Sequence, residues 1–274
     1  MAKMTPYMEI ICVGNELLIG KTLNTNSQWL AKSATAIGIG VKRVTVVADE
    51  VPEIASAVRE AIQRKPQFII TTGGLGPTFD DKTLAGIAEA LNCKLEVNAK
   101  AKQMIKEKYE TYARERKTGR IELTEARIKM ATIPQKSEPI RNPVGTAPAV
   151  QADLNGTTLI ALPGVPTEMK AIFEETITPL FKQVSDGNTF HEKSIYADNI
   201  MESTLAPLID IVIQDNPTVY VKSHPKGEEK RPHMEIHFSI KSEEIKRPKE
   251  KLRKAMVQLS NLIENNNGKI VNSS

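Results

Sequence analysis

The segment from Phe68 to Thr83 constrains this chain more than any other. Apolar Phe68-Ile69-Ile70 runs into Thr71-Thr72-Gly73-Gly74-Leu75-Gly76-Pro77-Thr78-Phe79-Asp80-Asp81-Lys82-Thr83, and an amphipathic stretch continues to Leu91. A short apolar run closed by glycines and followed by helical spacing reads as a buried strand turning into a helix. Backbone N–H groups at such a junction can cradle a phosphate or another anion. Two adjacent aspartates suit a divalent metal or an attacking water. They suit capping equally well, because Asp and Thr accept hydrogen bonds from the free N–H groups of a helix start. Thr78 with Asp81 three residues on forms a capping box with a shortened acid. On these residues alone both readings stand.

The surrounding pattern repeats strand and helix. Residues 8–13 read as an apolar strand, 26–37 as a helix closed by Gly38, 41–47 as a strand, 52–64 as a helix and 67–71 as a strand. Such alternation predicts a mostly parallel sheet covered by helices, with ligands beyond the carboxyl ends of the strands. Residues 13–16 and 72–81 both fall there. Further on, 98–117 reads as a highly charged helix with Met104, Ile105, Tyr109 and Tyr112 as its apolar stripe, and 124–131 as a short helix. The stripe suits packing on the parent domain or a subunit contact. A rigid loop, Asn142-Pro143-Val144-Gly145-Thr146-Ala147-Pro148-Ala149, precedes a strand at 157–162 that enters Pro163-Gly164-Val165-Pro166-Thr167-Glu168-Met169-Lys170 and a helix.

The pattern changes after residue 183. Strands at 193–197, 218–223 and 233–241 and helices at 203–214 and from Pro248 to a stop at Gly268 make a small β-α-β-β-α unit. The expected division is an α/β domain at 1–183 and a small α+β domain at 184–274.

Composition narrows the classes. The chain has 274 residues, 40% hydrophobic and 26% charged, and a net charge of +4, ordinary for a globular protein and too balanced to argue for nucleic acid. No apolar run reaches membrane-spanning length, and the amino terminus lacks a signal-peptide pattern. The two cysteines, Cys12 and Cys93, read as free buried thiols, so a cytoplasmic protein is expected. Glu16 in Gly14-Asn15-Glu16-Leu17-Leu18 stands at a strand end as a candidate carboxylate or a local pairing partner. Asn24, Thr25, Asn26 and Ser27 mark a helix start, some of them free to bond a ribose or phosphate. His233, Glu235 and His237 share a strand face, suited to a solvated surface or a metal. The turn Lys222-Ser223-His224-Pro225-Lys226-Gly227 is basic enough to meet a phosphate, and is also an ordinary charged hairpin end. The basic run at 249–254 lacks interleaved aromatics, against single-stranded nucleic acid.

Four motifs in order, Gly14-Asn15-Glu16-Leu17-Leu18, Thr72-Gly73-Gly74-Leu75-Gly76-Pro77-Thr78, Asn142-Pro143-Val144-Gly145-Thr146-Ala147-Pro148 and Leu162-Pro163-Gly164-Val165-Pro166-Thr167-Glu168-Met169, resemble the amino-terminal part of the CinA family. Its core is the molybdopterin-binding fold shared with MoaB and MogA. The resemblance covers most of residues 8–183, and 203–227 is similar to that family's small second domain. It implies a three-layer α/β/α domain and a pocket at the strand ends. It also implies a metal-dependent ADP-ribose pyrophosphatase yielding AMP and ribose 5-phosphate, or, in the pterin branches, molybdopterin binding or adenylylation. Ala149 departs from the family's usual Gly, and Asn15 from a common Asp. The nicotinamide mononucleotide deamidase activity of bacterial members is not carried over.

On that footing the leading expectation is ADP-ribose hydrolysis. Asp80 and Asp81 would bind Mg²⁺, Mn²⁺ or Co²⁺, with K⁺ assisting, and Glu16 or Glu168 would act as base. Gly14, Asn15, Thr72, Gly73, Gly74, Gly76, Pro77, Thr78, Thr83, Pro163 and Gly164 would hold phosphate, and Asn142, Gly145 and Thr146 the nucleoside or pterin end. The alternatives are a protein that binds or processes molybdopterin or its adenylate, and a non-catalytic nucleotide-binding module. The expected partners are a small nucleotide or pterin and further copies of the chain in a homo-oligomer, with no nucleic acid and no membrane.

Overall fold

The computed structural model describes residues 6–116, 122–154, 156–185, 189–226, 232–242 and 246–271. Lys117 and Gly227, each part of an expected element, lie outside them. The chain divides into two units, one built on residues up to Thr35 and Ile39–Val184, the other on Ala36–Gly38 and Ser185 onward.

The first unit runs β1 (Tyr7–Val13), α1 (Asn15–Leu18), α2 (Thr25–Ala36), β2 (Gly40–Val47), α3 (Val51–Gln63), β3 (Phe68–Thr72) and α4 (Thr83–Ala90). It continues with β4 (Leu95–Val97), α5 (Ala99–Arg116), α6 (Glu125–Lys129), β5 (Thr132–Pro134), β6 (Glu138–Ile140), β7 (Ala149–Leu154) and β8 (Thr157–Leu162). It closes with α7 (Pro166–Ile172), a widened π-helical turn (Phe173–Ile177) and α8 (Thr178–Ser185). The α/β class is as the alternation implies. The main sheet has the order β2-β1-β3-β8-β7-β6 and is mixed. Its first four strands pair in parallel, while β7 and β6 run antiparallel. β4 and β5 form a separate antiparallel pair.

Strand alternation sorts the core. Ile11, Val13, Ile69, Leu159 and Ala161 join one cluster with Ile54 and Val58 of α3 and Leu84 and Ile87 of α4. Their neighbours along the same strands, such as Ile10, Phe68 and Ile160, are equally buried and point the other way. There Phe68 meets Phe181 with ring centroids 4.4 Å apart, Phe181 meets Phe173 at 5.5 Å, and Phe173 meets Trp29 at 5.3 Å. The stripe of α5 packs inward on this unit. Ile105 is buried, Tyr109 packs against the core, and the Arg127 guanidinium lies 3.9 Å over the Tyr109 ring.

One charge interrupts the apolar β1. Glu9 is only 3% exposed and accepts from Arg64 Nε at 2.8 Å and from an Arg64 terminal nitrogen at 2.8 Å. A buried carboxylate persists only with such a partner.

In the second unit, β9 (Thr189–Asp198), α9 (Glu202–Asp215), β10 (Tyr220–Pro225), β11 (His233–Ser242), α10 (Lys246–Asn265) and β12 (Lys269–Val271) follow in order. The sheet order is β10-β11-β9-β12, all antiparallel. Leu205, Leu208 and Val212 of α9 and Leu252, Leu259 and Ile263 of α10 share a core with Ile236 and Phe238 of β11. The three-residue β12, beyond the helix stop at Gly268, adds to the expected β-α-β-β-α order.

Arg64→Met should lower the unfolding free energy of the first unit by about 2–3 kcal/mol, since it strands Glu9 without its cation while Arg64 itself is partly solvated. Urea unfolding followed by the fluorescence of Trp29, the single tryptophan, reads that unit. A loss below about 0.5 kcal/mol would mean that Glu9 is satisfied by something else.

Candidate functional site

The parallel strands β1, β3 and β8 all end at one edge of the sheet, and each continues into a polar loop. Residue 73 must be glycine there. Its φ is +107°, and a Cβ would lie 2.2 Å from the carbonyl oxygen of Val13. Gly73 N donates to Leu162 O at 3.1 Å, tying β3 to β8, and Gly14 N donates to Val47 O at 3.1 Å, tying β1 to β2. Thr72 Oγ1 donates to Pro163 O at 3.1 Å, and Thr83 Oγ1 donates to Gly73 O at 2.8 Å.

Helix α2 starts at the same edge. Asn24 Oδ1 accepts from Ser27 N at 3.2 Å, an N-cap interaction. Asn26 Nδ2 donates to Thr72 Oγ1 at 3.0 Å and to Gly164 O at 2.8 Å, joining α2 to the ends of β3 and β8. Asn26 Oδ1 is buried and has no hydrogen-bond partner among the described residues. A buried acceptor left open in this way is uncommon.

Between these elements lies a cleft of about 280 Å³. Its side-chain polar groups come from Glu16, Thr22, Asn24, Thr25, Asn26, Asp49, Thr72, Asp80 and Asp81, and no Lys, Arg or His lines it among the described residues. Asp49 Oδ2 accepts from Asn15 N at 2.7 Å, and Asn15 Oδ1 accepts from Asp49 N at 3.4 Å. Asn15, where the family often has Asp, is thus a clamp on the loop after β2. Beneath the cleft, burial pushes the Cys12 thiol upward in pKa, with hydrogen bonds to Asn24 and Ser27 acting in the other direction.

The two aspartates turn toward one threonine. Thr78 Oγ1 lies 2.5 Å from Asp80 Oδ1 and 2.5 Å from Asp81 Oδ2, and Thr78 N donates to Asp81 Oδ2 at 2.8 Å. The Lys129 ammonium donates to the Thr78 carbonyl. The Thr78 hydroxyl, with its own backbone amide and the charges of Lys129 and Lys82, holds the Asp80 carboxyl below its ordinary pKa. Helix α4 begins only at Thr83, so Asp80 and Asp81 precede it, and its first turn contains no acid.

Glu168 belongs to a neighbouring cavity of about 310 Å³, which shares Gly74, Asp81 and Gly164 with the cleft and adds Gly76, Pro77, Thr146 and Pro163. Asn142 Nδ2 donates to Glu168 Oε2 at 2.6 Å and to Ala147 O at 2.8 Å, while Asn142 Oδ1 accepts from Gly145 N at 2.7 Å. A Cβ at Gly145 would lie 2.0 Å from the Glu168 carboxylate, so a side chain there would have to displace Glu168 from its place. Ala149 is buried in β7, so its methyl belongs to the strand. Of the sequence-selected residues, the structure brings Gly14, Glu16, Thr72, Gly73, Gly74, Asp80, Asp81 and Gly164 to one cleft. Glu168 and Asn142 are held elsewhere. Asp49 was not selected, and Asn26 was read as part of a helix start whose residues could also bond a ribose or phosphate.

In the second unit, His233 Nδ1 lies 2.6 Å from Asp198 Oδ1, and Glu235 accepts from Ser194 at 2.9 Å and pairs with Lys226 at 3.2 Å. His237 lies 3.8 Å from Glu192. These contacts make a polar sheet face. Lys226 of the basic turn is committed to Glu235, and both cysteines are free thiols, Cys93 half-buried.

A cleft at the carboxyl ends of a mostly parallel sheet, framed by glycine turns and a helix start, defines a small-ligand-binding α/β protein. The profile of a family described as a probable molybdopterin binding domain matches residues 9–183. The chain belongs to that family, and is related to CinA proteins. It is 42% identical over 268 residues to a protein of Sulfurisphaera tokodaii, covering 97% of this chain and 98% of that one. It is also 42% identical over 268 residues to a protein of Saccharolobus solfataricus, covering 97% and 95%. Among solved structures, a CinA protein of unknown function from Thermoplasma acidophilum superposes with a TM-score of 0.57 at 40% identity, covering 64% of this chain and 98% of that one.

These findings overturn the leading expectation. The matched family is one of molybdopterin binding, and ADP-ribose hydrolysis has no support in it. Among the described residues, no group of three or more His, Cys, Asp or Glu side chains could hold a metal ion. Asp80 and Asp81 are tied to Thr78, and Glu168, one proposed base, is tied to Asn142. The metal-dependent hydrolase reading is therefore replaced, and the divalent ion and potassium attached to it go with it. No helix among the described residues is long and apolar enough to cross a membrane.

Gly73→Ala should destabilise the first unit by at least about 2 kcal/mol, since neither the positive φ nor the Val13 carbonyl can relax without moving two strands. Gly20→Ala, also at positive φ (+71°) but with nothing within 4 Å of the added Cβ, should cost only about 1 kcal/mol. Equal losses in the two variants, read by urea unfolding of Trp29, would show that the close strand approach carries no special weight.

Proposed function

We propose that the chain binds molybdopterin in the Asn26 cleft and serves in the assembly of the molybdenum cofactor. The observation that carries this reading is the unpartnered, buried Asn26 Oδ1 in a cleft whose charged side chains are all carboxylates. A pterin's pyrimidinone edge presents N–H donors beside a carbonyl, and amide and carboxylate oxygens accept such donors. Asn26 and Asp49 are the residues that would hold that edge. Glu16 and Asp80 supply further acceptors at the mouth, and Gly73 and Gly164 keep the floor narrow enough for a flat heterocycle. Gly164 would bring a Cβ within 3.3 Å of the Gly73 Cα, which supports a floor of closely packed backbone.

Bound molybdopterin would supply the sulfur ligands for the metal of the finished cofactor. The protein's own part is to orient the heterocycle and shield it from water. The family match over residues 9–183 supports the same ligand class. The reading includes a three-layer α/β/α domain at 1–183 as the binding domain, residues 184–274 as a separate α+β domain, and a cytoplasmic homo-oligomer.

Titration of the full chain with molybdopterin, followed by the pterin's fluorescence, should give saturable binding. Asn26→Ala and Asp49→Asn should each weaken it by about tenfold, the equivalent of one buried hydrogen bond at about 1.4 kcal/mol. ADP-ribose at equal concentration should not compete. Full affinity in both variants, or displacement by ADP-ribose, would contradict the reading.

A further inference from the structure

A further cavity, of about 340 Å³, opens in the same unit between α5 and the loop at 141–148. Its chemistry is opposite to that of the first. Lys108, Arg114 and Arg141 line it together with Thr146. Two acids also reach it, but both are engaged along α5: Glu107 accepts from Gln103 at 2.7 Å, and Glu110 lies 3.9 Å from Lys106.

Neither Arg114 nor Arg141 is ion-paired with either acid among the described residues. Arg141 is exposed and has no hydrogen-bond or ion-pair partner among the described residues. Among the described residues, Arg114 reaches only Glu110 O at 3.4 Å and Thr111 Oγ1 at 3.3 Å, long contacts with its own helix. Among the described residues, neither guanidinium has a carboxylate within ion-pair distance.

The wall around them is fixed. Lys108 Nζ donates to Pro143 O at 2.8 Å and Tyr112 Oη to Val144 O at 3.0 Å, fastening α5 to the loop. Asn142 holds the loop from within through its bonds to Val144 N, Gly145 N and Ala147 O. A rigid cavity carrying two unsatisfied guanidiniums attracts anions, and their planar forks match the oxygens of a phosphate.

We propose that this cavity is a second ligand site, taking the phosphate or diphosphate group of a small phosphorylated molecule between Arg141 and Arg114. It is independent of the pterin reading, since no residue of the Asn26 cleft takes part. Thr146 supplies a hydroxyl to the same group, and Lys108 adds positive charge from the wall.

Calorimetric titration of the full chain with inorganic pyrophosphate tests it. One saturable site per chain is expected, with Arg141→Gln and Arg114→Gln each weakening it by at least about tenfold, the loss of one charge-assisted contact. Arg141→Lys, which keeps the charge and loses the fork, should fall between wild type and Arg141→Gln. Lys251→Gln, a cation of α10 far along the chain, should bind as wild type. Absence of saturable binding would overturn the proposal. So would wild-type affinity in Arg141→Gln, or an equal loss in Lys251→Gln, which would mark diffuse surface charge. Trp29 melting curves of each variant show whether the first unit is folded when binding is read.

Discussion

The ends of three neighbouring parallel strands are drawn together by glycine, and the site depends on that approach. Any side chain at residue 73 would run into the Val13 carbonyl, 2.2 Å from the position of its Cβ, while Gly164 packs against the Gly73 Cα. With β1, β3 and β8 locked at this spacing, Asn26 can bridge Thr72 and Gly164 at once. That bridge uses both protons of the Asn26 amide nitrogen and leaves its buried oxygen without a partner among the described residues. The open acceptor is thus a consequence of how closely the strand ends pack.

Charge then separates two cavities of one domain by ligand chemistry. The cleft over the strand ends offers acceptors and carboxylates, which favour the donor-rich edge of a heterocycle. The cavity beside α5 offers guanidiniums with no carboxylate partner among the described residues. The loop at 141–148 is the structural hinge of this arrangement. Asn142 fixes it, Glu168 locks its far side, and Thr146 lines both the cavity near Asp81 and the cationic one.

Much of the scaffold was legible from residue order. Continuous apolar runs such as Phe68-Ile69-Ile70 gave β1, β3 and β8, because strands buried on both faces cannot alternate. β6, at three residues, was too short to leave a periodic signal, and β7 follows a proline-rich loop that hid its start. Glu9 was invisible as a buried ion because its partner is 55 residues away in sequence. Asp80 and Asp81 were expected to hold a metal, with capping as the alternative, and the structure turns both carboxylates to Thr78 ahead of the helix. Thr83 N donates to Gly74 O at 3.2 Å, so the turn folds back and delays α4 until Thr83. Asn26 was visible as part of a helix start, but its open oxygen arises from contacts with Thr72 and Gly164, which no local pattern encodes. Asp49 escaped notice because nothing near it in sequence suggests that it bonds Asn15 across the sheet edge.

The most direct test of the account is a crystal structure of the full chain with molybdopterin. The account predicts the pterin's pyrimidinone edge in the cleft between α2 and the loop after β2, with an N–H group within hydrogen-bond distance of Asn26 Oδ1 and a second donor on Asp49. A pterin bound elsewhere, with Asn26 Oδ1 still without a partner, would contradict it.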